Sequence, residues 1–310
     1  MISALIIIAI TMKTKSLHLI YIPFTDVGIG TQFRNDEWLA YRIKIFKDYT
    51  LKSLVNQTNK DFILWLSFTE KENGNPLLIE LSKTLNDKKI KHIFNIFTFD
   101  GLMYHDDKFG GNIFEKAKNF LRIMRRCNRN KRWNEFVPLV KEWRKNEKKN
   151  ETLKDRLNLS LNILYTSGIE RTDWVYLTRL DSDDMLNRDF VKIIHTVIPK
   201  IGAVCLKNGY CYNKDTDELA HWQPATNPPF HTIMFPADIF FNAERHLNYY
   251  GNFKSHEDIP RIFPPVYLKD GLYCVLVHSR ENQISTIWNH KFRGGIIEEN
   301  KKEILNGFGL

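Results

Sequence analysis

The sequence predicts an α/β fold on a mixed sheet, with helices on both faces of its first half. Two patterns and the composition carry that prediction. Short apolar runs alternate with stretches of helical periodicity from residue 17 to residue 200, the signature of β-α-β units with a parallel sheet. After Gly202 the texture changes to strand-like runs separated by Pro-, Asn- and His-rich loops, which reads as mixed or antiparallel sheet. Finally, 310 residues with 43% hydrophobic content, including 21 Phe, 12 Tyr and 7 Trp, supply one large core or two smaller ones and disfavour disorder.

The elements follow in chain order. Leu17–Phe24 (LHLIYIPF) reads as a buried first strand ending at a proline, followed by a Gly-containing loop (TDVGIGTQ). From Asp36 to Val55, Trp38, Tyr41, Ile45, Tyr49, Leu51 and Leu54 recur at helical spacing. Phe62–Phe68 is a second buried strand, Leu77–Leu85 a helix and Ile90–Phe97 a third strand. Residues 115–165 read as mostly helical, broken near Pro138. Leu157, Leu161 and Leu164 line one face of a helix over Leu153–Tyr165, and Gly168 is its stop signal. Trp174–Leu180 (WVYLTRL) is the next buried strand, and Asn187–Ile198 a helix closed by Pro199. Beyond it, AVCLKNGYCYN, HTIMFP and LYCVLVH are strand-like.

The net charge of +9 is local, because Glu115–Asn150 holds 13 Lys/Arg against 4 Glu. Such a segment meets phosphates, an anionic membrane surface or an acidic polymer, or is a solvated helical face. It carries Trp133 and Trp143 but no nucleic-acid-binding motif. Cys127, Cys205, Cys211 and Cys274 form no C-x-x-C pair and no zinc spacing, a usage that suits a reducing, cytoplasmic compartment. The apolar start MISALIIIAITM falls short of the roughly 20 residues that span a bilayer. It reads as a poor signal sequence, a membrane-touching anchor or a leader upstream of Met12.

The sharpest chemical feature is LTRLDSDDML. Asp181, Asp183 and Asp184 follow a buried strand directly, where ligands bind in open α/β sheets. On extended backbone Asp181 and Asp183 would point the same way. Carboxylates so crowded need a neutralising cation, and Mg²⁺ or Mn²⁺ bridging to a diphosphate would supply one. The competing reading is an acidic turn that caps the helix after Asn187. A phosphatase of the haloacid-dehalogenase type is disfavoured, since Met185 stands where Thr or Val is required.

LDSDDML, preceded by LNLSLNILYTSGIERTDWVYLTRL and, earlier, by YTLKSLVNQTNKDFILWLSF with its S-L-x-x-Q helix end, resembles the GT-A fold nucleotide-sugar glycosyltransferases. Its family-2-like and rhamnosyltransferase-like branches are the nearest, and the resemblance covers roughly residues 17–200. It implies a Rossmann-like nucleotide-binding half within a GT-A-like mixed sheet. The expected organisation is a short apolar leader or anchor at 1–16, a nucleotide-sugar-binding half at 17–200 with a basic helical insertion at 115–150, and an acceptor-binding half at 201–310.

The resemblance also implies roles. Asp183 would bind the metal, Asp181 the metal or the nucleotide ribose, and Asp184 would stand behind them. Arg179 would approach a phosphate or lie on the surface. In SHEDI, Asp258 first and Glu257 second are candidates for the base that deprotonates the acceptor hydroxyl, with inversion at the anomeric carbon. His278, at the end of LYCVLVH, would be a further metal ligand. Glu70 is the nearest acid for the nucleotide base, although the family's double-Asp signature is missing there. Arg34 and Arg42 are phosphate or sugar contacts or surface residues, and Trp222 stacks on a sugar or packs in the core.

The expected partners are a nucleotide-diphosphate sugar and a glycan, lipid-linked or protein acceptor, with peripheral membrane contact through residues 115–150. The alternative functions are a basic nucleic-acid-binding protein and a sugar-binding protein without turnover.

Overall fold

The structure is a computed structural model that describes residues 15–25, 35–96, 153–166, 172–250, 256–278 and 293–310, with scattered residues between 120 and 141. The apolar start, Arg34, Cys127, Pro138, Trp143, Gly168 and most of the basic segment 115–150 lie outside the described residues. No helix among those described is long and apolar enough to cross a membrane.

Twelve strands are described: β1 (Ser16–Pro23), β2 (Ile63–Ser67), β3 (His92–Asn95), β4 (Trp174–Arg179), β5 (Met185–Leu186), β6 (Gly202–Cys205), β7 (Gly209–Asn213), β8 (Glu218–Trp222), β9 (His231–Pro236), β10 (Pro265–Tyr267), β11 (Tyr273–Val277) and β12 (Arg293–Ile296). They form a seven-stranded sheet, ordered β10-β6-β9-β4-β1-β2-β3, and a five-stranded sheet, ordered β12-β8-β7-β11-β5. In the first, β4, β1, β2 and β3 run parallel, and β9 is antiparallel to β4 and β6. Strand order reverses between β1 and β4, the switch point where a crevice opens beyond the strand ends. β4 belongs to the large sheet and β5 to the small one, so residues 180–184 form the junction between them.

Both faces of the large sheet are covered, which explains why its strands read as continuous apolar runs. Ile20, Ile22, Leu64, Leu66 and Tyr176 face one core. It is closed by α1 (Asp36–Ile45), α2 (Leu51–Val55) and α3 (Pro76–Asp87) through Leu39, Ile43, Leu54, Leu78, Leu81 and Leu85. A π-helical stretch, Phe46–Thr50, joins α1 to α2. The opposite core holds Leu19, Tyr21, Trp65 and Leu177 beneath the helix Leu153–Thr166, whose Leu157, Leu161 and Leu164 are buried there as its periodicity predicts. Each such leucine contributes about 1.5–3 kcal/mol on burial. A third cluster, with Met185, Leu219, Leu276, Leu305 and Phe308, packs the C-terminal segment against the small sheet.

Two expectations need correction. AVCLKNGYCYN is two strands in different sheets, β6 and β7, and β7 starts at Gly209, where a Cβ would lie 2.6 Å from the Tyr273 carbonyl oxygen. The helix expected over Asn187–Ile198 is only Phe190–Ile194. Residues 187–189 are held in a turn by Asn187, whose side chain accepts from Asp189 N–H at 3.1 Å, and Pro199 disfavours helix at its C-terminal side.

One polar chain crosses the apolar core. His18 on β1 bonds Thr178 at 2.8 Å and His195 at 3.1 Å, and Thr178 bonds Thr232 at 2.6 Å. Burial first, then the neighbouring His195, holds the His18 imidazole well below its ordinary value of 6.5. Burial also lowers His195. The unfolded chain therefore takes up protons near 6.5 that the folded chain refuses, so this stability is complete above that pH and is lost below it. Urea midpoints should fall from about pH 7 to about pH 5. His18→Gln, which keeps a partner for Thr178 but cannot titrate, should flatten that fall.

Candidate active site

The DSDD segment lies at the carboxyl end of β4, beside β1, at the switch point. Its backbone is a turn, with Asp184 N–H donating to the Asp181 carbonyl at 3.2 Å. The extended geometry expected for Asp181 and Asp183 is therefore absent, and the carboxylates meet different partners.

Asp183 is buried. Arg42 of α1 grips it with both terminal nitrogens, Nη1 to Oδ2 at 2.6 Å and Nη2 to Oδ1 at 2.8 Å. The third guanidinium donor, Nε, reaches Ser182 Oγ at 2.8 Å. His278, directly after β11, points Nε2 at Asp183 Oδ2 from 3.2 Å. Tyr41, beside Arg42 in sequence, places its hydroxyl 3.4 Å from the other ring nitrogen. Burial alone would raise the Asp183 carboxyl, but Arg42 and His278 outweigh it and the net shift is downward. Arg42, left between surface and site by its sequence context, is thus central to the site, with a side chain 19% exposed.

The other two carboxylates are also matched. Asp181 is 2.7 Å from Arg179, and its side chain is 31% exposed against 6% for Asp183. Arg179 is buried rather than a surface residue. Asp184 Oδ1 accepts Leu276 N–H at 3.0 Å, extending the β5–β11 pairing by one bond. None of the three caps the helix Phe190–Ile194, whose cap residue is Asp189.

The S-L-x-x-Q motif, Ser53 to Gln57, is a clamp on this turn. Gln57 donates to the Asn187 carbonyl at 2.8 Å and to the Ser53 carbonyl at 3.1 Å, and accepts from Val191 N–H at 3.0 Å. Ser53 Oγ accepts from Leu186 N–H at 3.3 Å. The two motifs recognised separately in the sequence are thus one device, in which α2 fixes the chain just after the carboxylates.

Across the turn lies a second polar group. His256, Glu257 and Asp258 form a single 3-10 turn. Thr226 donates to Glu257 at 2.9 Å and Asn227 donates to the His256 carbonyl at 2.9 Å, tying that turn to the loop before β9. His256 is near enough to Arg179 and Asp181 for both to influence its ionisation, although burial is the main cause of its lowered value. His231, 1% exposed, feels Arg179 and His256 as well, and neither of its ring nitrogens meets a partner among the described residues. Asp258 faces Arg261 at 3.5 Å, with 28% of its side chain exposed. Of the SHED turn, His256 is thus within electrostatic range of Asp181 and Arg179.

Other candidates fall elsewhere. Glu70 starts the 3-10 turn Glu70–Glu72, and its side chain lies outside the described residues. The buried acid there is Glu72, which accepts from Thr25 at 3.1 Å and from Thr69 at the ends of β1 and β2. Its only signal in the sequence is its place two residues after Glu70. Trp222 is partly buried against the core, which favours packing over sugar stacking.

The metal ligands expected from the sequence, Asp183, Asp181 and His278, each meet a protein partner in this structure. Both Asp183 oxygens accept from Arg42, and His278 Nε2 lies 3.2 Å from Oδ2. Among the described residues, no three His, Cys, Asp or Glu side chains converge to hold an ion.

Fold and site together define an α/β protein of two mixed sheets, with an acidic turn at the switch point of the larger, two of whose three carboxylates pair with arginines. Residues 31–89, which include Arg42 and Gln57, match the sequence profile of a family described as "Putative rhamnosyl transferase". No curated protein matches the chain. Among solved structures, S. aureus TarS residues 1–349 aligns with 95% of this chain and 70% of that one, at 13% identity and a TM-score of 0.36.

Removing the clamp should be costly. Gln57→Ala strands the Val191 N–H and the Asn187 carbonyl, and should lower unfolding free energy by about 2–4 kcal/mol in a urea titration. Asp184→Asn keeps an acceptor for Leu276 and should cost much less than Asp184→Ala.

Proposed function

We propose that the chain transfers a sugar from a nucleoside-diphosphate donor to a hydroxyl acceptor. The observation that carries this reading is the DSDD turn at the switch point, paired with two arginines and within electrostatic range of His256 of the SHED turn. The family profile matched by residues 31–89 supports the sugar-transfer class.

In this reading the diphosphate lies at the mouth formed by Arg42 and Arg179. Asp181, the most exposed of the three paired groups with a side chain 31% exposed, takes a ribose or sugar hydroxyl. Asp258, or Glu257 beside it, removes the acceptor's proton, and the freed oxygen attacks the anomeric carbon opposite the leaving diphosphate. His231 borders the same end of β4, and its buried ring nitrogens, without a hydrogen-bond partner among the described residues, suit a ligand rich in oxygen. No step in this scheme runs through a metal.

Thermal denaturation with UDP, GDP and dTDP should show one of them raising the melting temperature, because a ligand that binds only the folded state stabilises it. Asp258→Asn should keep that shift yet slow transfer by about 10²–10⁴-fold, the usual contribution of a general base. Unchanged transfer in both Asp258→Asn and Glu257→Gln would remove the SHED turn from the mechanism.

A further inference from the structure

We propose that Arg42 is the cation of this site, standing where the D-x-D motif would otherwise place a divalent metal, and that it meets the donor's diphosphate directly. The inference rests on the transfer reading above and specifies how that site balances charge.

The geometry is specific. Of the expected metal ligands, Asp183 has both oxygens bonded, at 2.6 and 2.8 Å, by one guanidinium, and Asp181 has one oxygen 2.7 Å from Arg179. A planar fork matched to a carboxylate in this way is a strong, oriented, charge-assisted pair. Ser182 Oγ at 2.8 Å takes the Nε donor and fixes the plane of the fork. His278 Nε2 lies 3.2 Å from the same Oδ2. A divalent ion at Asp183 would have to break both arginine bonds and then sit beside the guanidinium that it displaced, at a cost in repulsion.

The side chain is also placed to do the metal's work. It is 19% exposed while its carboxylate partner is 6% exposed, so the arginine lies nearer the surface of the site than the carboxylate it holds. A guanidinium there can stabilise charge developing on a departing diphosphate, as an arginine clamp does. Asp183 then positions Arg42 rather than contacting the donor, with His278 and Tyr41 supporting it from β11 and α1.

The test compares nucleoside diphosphate binding in EDTA and in Mn²⁺, by calorimetry on the full chain, with the electron paramagnetic resonance of Mn²⁺ as an independent readout. Equal binding in both buffers, with the Mn²⁺ signal unchanged by adding the protein, whether the ion is alone or already mixed with nucleotide, is the expected result. Binding only in Mn²⁺, or a bound-ion signal lost in Asp183→Asn, would overturn the inference and leave the transfer reading standing. No binding in either buffer would overturn both. Arg42→Gln should weaken binding in EDTA by at least about tenfold, the scale of a lost charge-assisted contact. Mn²⁺ should restore part of it, since Asp183 and His278 are then open to the ion. A merely structural arginine would create no such metal dependence, and wild-type affinity in Arg42→Gln would refute its role. If that variant fails to fold, the wild-type measurements still decide.

Discussion

The site depends on one electrostatic constraint: three carboxylates in four residues must each find a partner inside the protein. Arg42 comes from α1, Arg179 from the end of β4, and the Leu276 N–H from β11. These partners belong to a helix, the large sheet and the small sheet, so neutralising the turn also fixes how those elements meet. Leaving one member of a buried ion pair without the other costs about 3–5 kcal/mol. The turn and its surroundings are therefore formed together.

The clamp from α2 adds a second constraint of a different kind. Gln57 and Ser53 use neutral hydrogen bonds to hold the chain at Leu186–Val191, immediately beyond the carboxylates. Position is set by amides and hydroxyls, and charge is left for the ligand side. That division explains why a motif near residue 55 accompanies an acidic motif near residue 182, although they are far apart in sequence.

Much of the fold was legible because burial leaves a direct mark on sequence. Strands covered on both faces appear as unbroken apolar runs, and Leu157, Leu161 and Leu164 mark the buried face of their helix. What could not be read was pairing at long range. Nothing local shows that AVCLKNGYCYN divides between two sheets, or that β9 inserts between β4 and β6. The acidic turn was visible, and so was the SHED turn, but not their partners. Arg42 is separated from Asp183 by 141 residues, and an arginine on a helix carries no sign of the carboxylate it will meet. Without sight of Arg42, the crowded carboxylates read only as a site for an ion. Glu72 carries no local mark for a similar reason, since its partners Thr25 and Thr69 come from the ends of two strands.

The most direct test is a crystal structure with a nucleoside diphosphate and Mn²⁺, with diffraction recorded at the manganese absorption edge. The account predicts a diphosphate oxygen at about 2.7–2.9 Å from the Arg42 guanidinium, with no anomalous peak between it and Asp183. A manganese peak bonded to Asp183, or a nucleotide seated away from the DSDD turn, would contradict it.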